Sequence, residues 1–93
     1  MNSKLSRAAR IENAVRAALA PADFALIDES SRHAGHAGAA PEGETHFRLR
    51  IVAPAFASKS RVERQRLVNT LLHEEFVSGL HAVAMELKAP DEA

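Results

Sequence analysis

A chain of 93 residues is the length of one small domain. Its net charge is zero and it has no cysteine. That excludes disulfides, thiolate catalysis, thiolate metal ligands, and a global field drawing the chain onto nucleic acid or an anionic membrane. Apolar residues make up 46% but aromatics only 4%, so the core must be Ala, Leu, Val and Ile with a few Phe.

Taken in chain order, Ser3 or Ser6 can cap a first helix carrying Leu5, Ala8, Ile11, Val15 and Leu19 at helical spacing. Arg7, Arg10, Glu12 and Arg16 take its wet face, and Pro21 ends it. Phe24 to Ile27 reads as a short strand closed by Asp28-Glu29-Ser30-Ser31. Residues 30–43, rich in Gly, Ala, Ser and Pro, have little to bury and read as a mobile loop. A second strand alternates Phe47, Leu49 and Ile51 with His46, Arg48 and Arg50, one dry face and one wet. Pro54 stops it. Ser60 and Glu63 then fit a capping box. It opens one long helix with Leu67, Val68, Leu71, Leu72 and Phe76 inward and Gly79 as C-cap. A last strand over 80–88 sets His81, Val83, Met85 and Leu87 on one face.

The expected fold class is therefore α+β, an α-β-β-α-β two-layer sandwich with helices on one face of a small three-stranded mixed sheet. Residues 1–93 form a single domain, with loose ends at about 1–3 and 89–93. Met1 to Leu5 show no apolar signal region and no run approaches a membrane span, so the expected location is cytoplasmic, without membrane contact.

Three histidines carry the most chemical information. His33 and His36 sit in the small-residue loop, and His81 opens the last apolar run. Imidazole both binds borderline metals and titrates near neutral pH. If the fold brings loop and last strand together, they make a half-built metal site whose other half belongs to a partner. His46, beside the loop, reads as a surface or structural residue with a minor claim on the site, and Glu74-Glu75 as a solvated helix face. No nucleophile elbow, phosphate-binding glycine loop or paired carboxylate is present, so no enzyme activity is expected.

A second feature is basic. Lys59, Arg61, Arg64 and Arg66 surround Glu63 at a helix start, where amides and the helix dipole favour anions. Such a cluster fits a solvated helix face, duplex DNA phosphates, an acidic partner or glutathione carboxylates. The chain lacks Trp and Tyr, and the turn Ala57-Ser58-Lys59-Ser60 lacks the Gly-x-x-Gly of nucleic-acid-clamping KH loops.

Several segments recur in the order of one family: Asp28-Glu29-Ser30, the histidine loop, Glu44-Thr45-His46-Phe47, Phe56 with Lys59 to Arg66, and Gly79-Leu80-His81-Ala82. Together they resemble BolA-family proteins from about Ile11 to Leu87. The resemblance implies a class II KH-like fold. It implies partnership with a monothiol glutaredoxin and its glutathione in handling a shared [2Fe-2S] cluster, with duplex DNA binding and transcriptional regulation as the alternative. It also implies His81 and His33 as cluster ligands, with His36 as a substitute for His33. The isolated protein would carry no cofactor and be a monomer or weak dimer. Ser31 stands where many members have a further histidine, and Ser58 where they often have glycine in the turn.

Overall fold

The computed structural model describes residues 5–30 and 43–93. Helix α1 spans Arg7–Leu19 and strand β1 Asp23–Asp28. Strand β2 covers His46–Val52, followed by a 3-10 turn at Pro54–Phe56. Then come α2 (Arg61–Leu71), α3 (His73–Val77), β3 (Ala82–Lys88) and a 3-10 turn at Pro90–Glu92. The sheet order is β1-β2-β3, with β1 antiparallel and β3 parallel to the central β2. A parallel pair needs a crossover, which α2 and α3 supply.

The alternation in β2 decides the layers. Phe47, Leu49 and Ile51 are buried against Ile11, Val15 and Leu19 of α1 and Val68 and Leu72 of the crossover. Register puts Val83, Met85 and Leu87 beside them on the same face. The other face is wet, with Arg48 paired to Glu29 at 3.0 Å and Arg50 to Asp23 at 3.2 Å. Ser6, not Ser3, caps α1, its Oγ accepting from the Ala9 N–H at 3.1 Å.

Three expectations are corrected. The crossover is not one helix. Leu72 leaves the helical region at φ −97° and ψ 7°, and its buried side chain holds the joint between α2 and α3. Glu75 is not solvated but 9% exposed, and Arg7 and Arg10 leave the wet face to meet it. The C-terminal segment is not loose. Ala89 is buried and Glu92 folds back onto Arg64. Ser58 takes a left-handed φ of +65° although it is not glycine, a strain of about 1 kcal/mol held by the surrounding turn.

Gly79 does end the crossover as expected. At φ +130° it closes a Schellman turn, with Gly79 N–H donating to Phe76 O and Leu80 N–H to Glu75 O at 2.9 Å. That turn delivers Leu80 into the core and His81 to the top of β3. No helix among the described residues is long and apolar enough to cross a membrane.

Candidate functional site

His81 stands one residue before β3, and both its N–H and that of Ala82 donate to Thr45 O, at 2.9 and 3.2 Å. Its ring is exposed rather than turned to the core as strand parity suggests, because the ladder proper starts at Ala82. There it meets His46, the first residue of β2. The two ring centroids are 5.5 Å apart and the planes nearly perpendicular, at 85°. Register explains the meeting. His46 pairs with Ala82 across a parallel ladder, so the two strand starts lie side by side.

Beneath this pair a hydrogen-bond cluster ties the two ends of the histidine loop. Ser30 Oγ accepts from Thr45 N–H at 2.8 Å and from His46 N–H at 3.1 Å. Thr45 Oγ1 lies 2.9 Å from His46 Nδ1. Asp28 accepts from Ser30 N–H at 2.9 Å and from Glu44 N–H at 3.2 Å. Partial burial disfavours the Asp28 carboxylate. Hydrogen bonds from the Ser30 hydroxyl and N–H and from Glu44 N–H, with His46 nearby, outweigh it and hold the carboxyl below its ordinary range. Gly43 takes φ +79°, a backbone that side-chain-bearing residues rarely adopt, and a Cβ there would stand a tight 3.3 Å from Asp28 Oδ2.

A second cluster braces the same base. The buried Glu75 carboxylate accepts from Arg7 Nε at 3.0 Å and from Arg10 Nε and Nη2 at 2.9 Å. Arg7 also donates to Glu44 O at 2.7 Å and to Ser78 O and Oγ, and the Glu44 carboxylate accepts from Arg7 N–H at 2.7 Å. One guanidinium thus joins the start of α1, the end of the histidine loop and the end of α3.

His33 and His36 lie outside the described residues. Among the described residues no group of three His, Asp or Glu is arranged to hold a metal ion.

The basic residues are elsewhere. Lys59, Arg61 and Arg64 line a groove of about 430 Å³ with Met85, Leu87 and Lys88, at the far end of β3. Its nearest lining residue on β3, Met85, stands four residues from His81, on the order of 13 Å, and its farthest, Lys88, on the order of 20 Å. Lys59, Arg61 and Arg66 are exposed, but Arg64 is committed to the fold. It grips Glu92 through two bonds of 2.6 and 3.0 Å, donates to Leu87 O and Lys59 O, and lies over the Phe56 ring. Phe47 and Phe56 are buried, so neither offers a base-stacking platform.

Sequence reading gave His46 only a minor claim on the site and missed Ser30, Thr45 and Glu75. Glu44-Thr45-His46 was legible as a family segment, but its contact with His81 depends on β2 and β3 pairing in parallel. One consequence is testable. Ser30→Ala leaves the Thr45 and His46 N–H groups without their acceptor, an expected loss of about 2 kcal/mol. Melting should fall by roughly 10 °C, and those two amides should exchange hydrogen faster than the rest of β2. Unchanged exchange at both would show that Ser30 does not hold the base.

Fold and site together define a two-layer α+β domain, KH-like in its element order, with imidazoles gathered at the start of its parallel strand pair. The chain belongs to the BolA family, whose model for BolA-like proteins matches residues 15–92. It is 47% identical over 83 residues to a Sinorhizobium protein described only as lying in the cobS 5′ region, covering 88% of this chain and 89% of that protein. It is 46% identical over 91 residues to SufE-like protein 1 of Arabidopsis thaliana, covering 94% of this chain but 24% of that larger protein. The solved BolA domain of SufE1 from the same plant superimposes with a TM-score of 0.86 at 44% identity, over 98% of this chain and 100% of that domain.

Proposed function

We propose that this chain is a non-enzymatic adaptor that pairs with a monothiol glutaredoxin to bind or pass on a [2Fe-2S] cluster. The cluster is cargo shared between two molecules. A [2Fe-2S] cluster takes four protein ligands, commonly thiolates, and this chain has no cysteine. The donor set present fits the imidazole half of a mixed site. Two nitrogens on one iron, with two thiolates on the other, is the arrangement of Rieske centres. The thiolates would come from the glutaredoxin and its glutathione.

The observation that carries this reading is His81, exposed at a strand start against the anchored base of the histidine loop. His81 supplies one nitrogen. The family resemblance gives the second to the loop, at His33. Occurrence of the same domain as about a quarter of a larger SufE-like protein supports a role as an adaptor module.

Mixing the protein with a [2Fe-2S]-loaded monothiol glutaredoxin should change the visible absorption and circular dichroism of the cluster. His81→Ala should abolish that change while the glutaredoxin keeps its own spectrum. A wild-type mixture indistinguishable from the glutaredoxin alone would overturn the proposal.

A further inference from the structure

We propose that the free edge of β3, where it borders the basic groove, receives an extended acidic peptide segment of a partner protein as a fourth strand. This surface is independent of the histidines and of any cluster.

The edge is the first argument. β3 is an outer strand of the sheet, paired with β2 alone. Backbone groups of successive residues point to alternate sides of a strand. Ala82 N–H bonds Thr45 O, and Lys88 O accepts from Ala53 N–H at 3.0 Å, so the even-numbered residues face β2. Met85 and Leu87 therefore turn their N–H and C=O groups outward. Arg64 takes Leu87 O at 3.1 Å, and among the described residues nothing takes the other three. Such a row is a template for one more strand. Met85 to Lys88 offers room for about four extended residues, roughly 13 Å.

Charge is the second argument. Four cations and two carboxylates line the groove. Both carboxylates are already paired, Glu92 with Arg64 and Glu86 with Lys88 at 3.5 Å. Lys59 and Arg61 are exposed and, among the described residues, form no ion pair. The groove has already captured one carboxylate, that of Glu92, through two bonds from Arg64 of 2.6 and 3.0 Å. Side chains of an added strand point to opposite faces in turn. Acidic ones on the helix side would meet Lys59 and Arg61 at the start of α2. Apolar ones would lie on the open face beside the small, exposed Ala84. Duplex DNA fits this surface less well, because it brings no strand to the edge and its phosphates would meet the two carboxylates.

The test uses the whole chain and a synthetic peptide, acetyl-Glu-Val-Glu-Val-Glu-amide, followed by NMR at low salt. With free peptide about tenfold above Kd, hydrogen exchange at the Met85 and Leu87 amides should slow by about tenfold. Ala84 and Glu86, which face β2, should not change. Lys59→Ala/Arg61→Ala should weaken binding by about tenfold, and so should replacing the Glu residues of the peptide by Gln. Both side chains are exposed, and a folded-state amide spectrum checks that the variant keeps the sheet. The inference is overturned if the peptide leaves exchange at Met85 and Leu87 unchanged, or if the double variant binds as tightly as the wild type. It is also overturned if a short DNA duplex shifts the Lys59 and Arg61 signals at lower concentration than the peptide does, which would give the groove to nucleic acid.

Discussion

Replacing Glu75 by alanine should destabilise the fold by about 3 kcal/mol and lower the melting temperature by roughly 15 °C. The carboxylate and its Arg7 partner are 12% and 13% exposed. Removing one member of a shielded, hydrogen-bonded pair strands the other charge away from water. Arg7 would be stranded here, while Arg10, 39% exposed, would stay solvated, and Arg7 would lose the anchor that aims it at Glu44 and Ser78. Damage should therefore reach the base of the histidine loop, visible as faster amide exchange at Thr45. Acid provides an independent check. Hydrogen bonds from Arg10 lower the Glu75 pKa, burial opposes them, and Arg7 adds to the lowering, so the carboxyl titrates below its ordinary 4.5. A folded pKa below the unfolded one gives stability that is present above pH 4.5 and fades as pH falls through the folded value. Glu92, pulled down to about 2 chiefly by Arg64, fades in the same window. Urea midpoints should fall between pH 5 and pH 3 in the wild type and fall less in Glu75→Ala. Parallel curves would remove Glu75 from the account.

The limits of the sequence are clearest at this residue. Glu74 and Glu75 look alike in a charged helical stretch, and only Glu75 is buried. What separates them is the break at Leu72 and the position of α1, both tertiary facts. Arg7 and Arg10 at i, i+3 were the available sign, since they share a helix face that could receive one carboxylate. His46 was hidden differently. Its alternation with Phe47 correctly gives a wet-face position, but alternation within one strand says nothing about which strand lies beside it. By contrast, β2, the Ser60 capping box and the Gly79 turn were legible because each is decided by neighbours within a few residues. His81 was marked by its place at the start of an apolar run and by the ordered family segments, and neither indicated that His46 would lie beside it. The Ser58 backbone ran against local rules, and the turn between Phe56 and Ser60 imposes it.

Phe56→Ala should carry the largest loss in the molecule, about 4 kcal/mol. Domains of this size have a total stability of roughly 5–14 kcal/mol, so the variant should keep only about 1–10 kcal/mol of it. The ring is 0% exposed, one of the largest fully buried side chains, yet it sits in a 3-10 turn rather than in a helix or strand. It closes the end of the core where β2 hands the chain to α2. Its removal leaves a cavity, and a turn already spanning from Ala53 to Lys59 by backbone hydrogen bonds has little freedom to collapse into it. Phe56 is also the floor for Arg64, whose guanidinium lies 5.9 Å above the ring and grips Glu92 and Leu87 O. Loss of the floor should release the C-terminal turn as well, so Phe56→Ala and Glu92→Ala should couple rather than add. Phe56→Leu, which keeps most of the volume, should cost less than about 1.5 kcal/mol. The histidine pair lies at the other end of β3, on the order of 20 Å away. At 10 °C, in the fraction that remains folded, the hydrogen-exchange response of the Thr45 and His46 amides should match the wild type. A response lost in proportion beyond the unfolded fraction would mean that the two ends of β3 are coupled, contrary to the separation argued here.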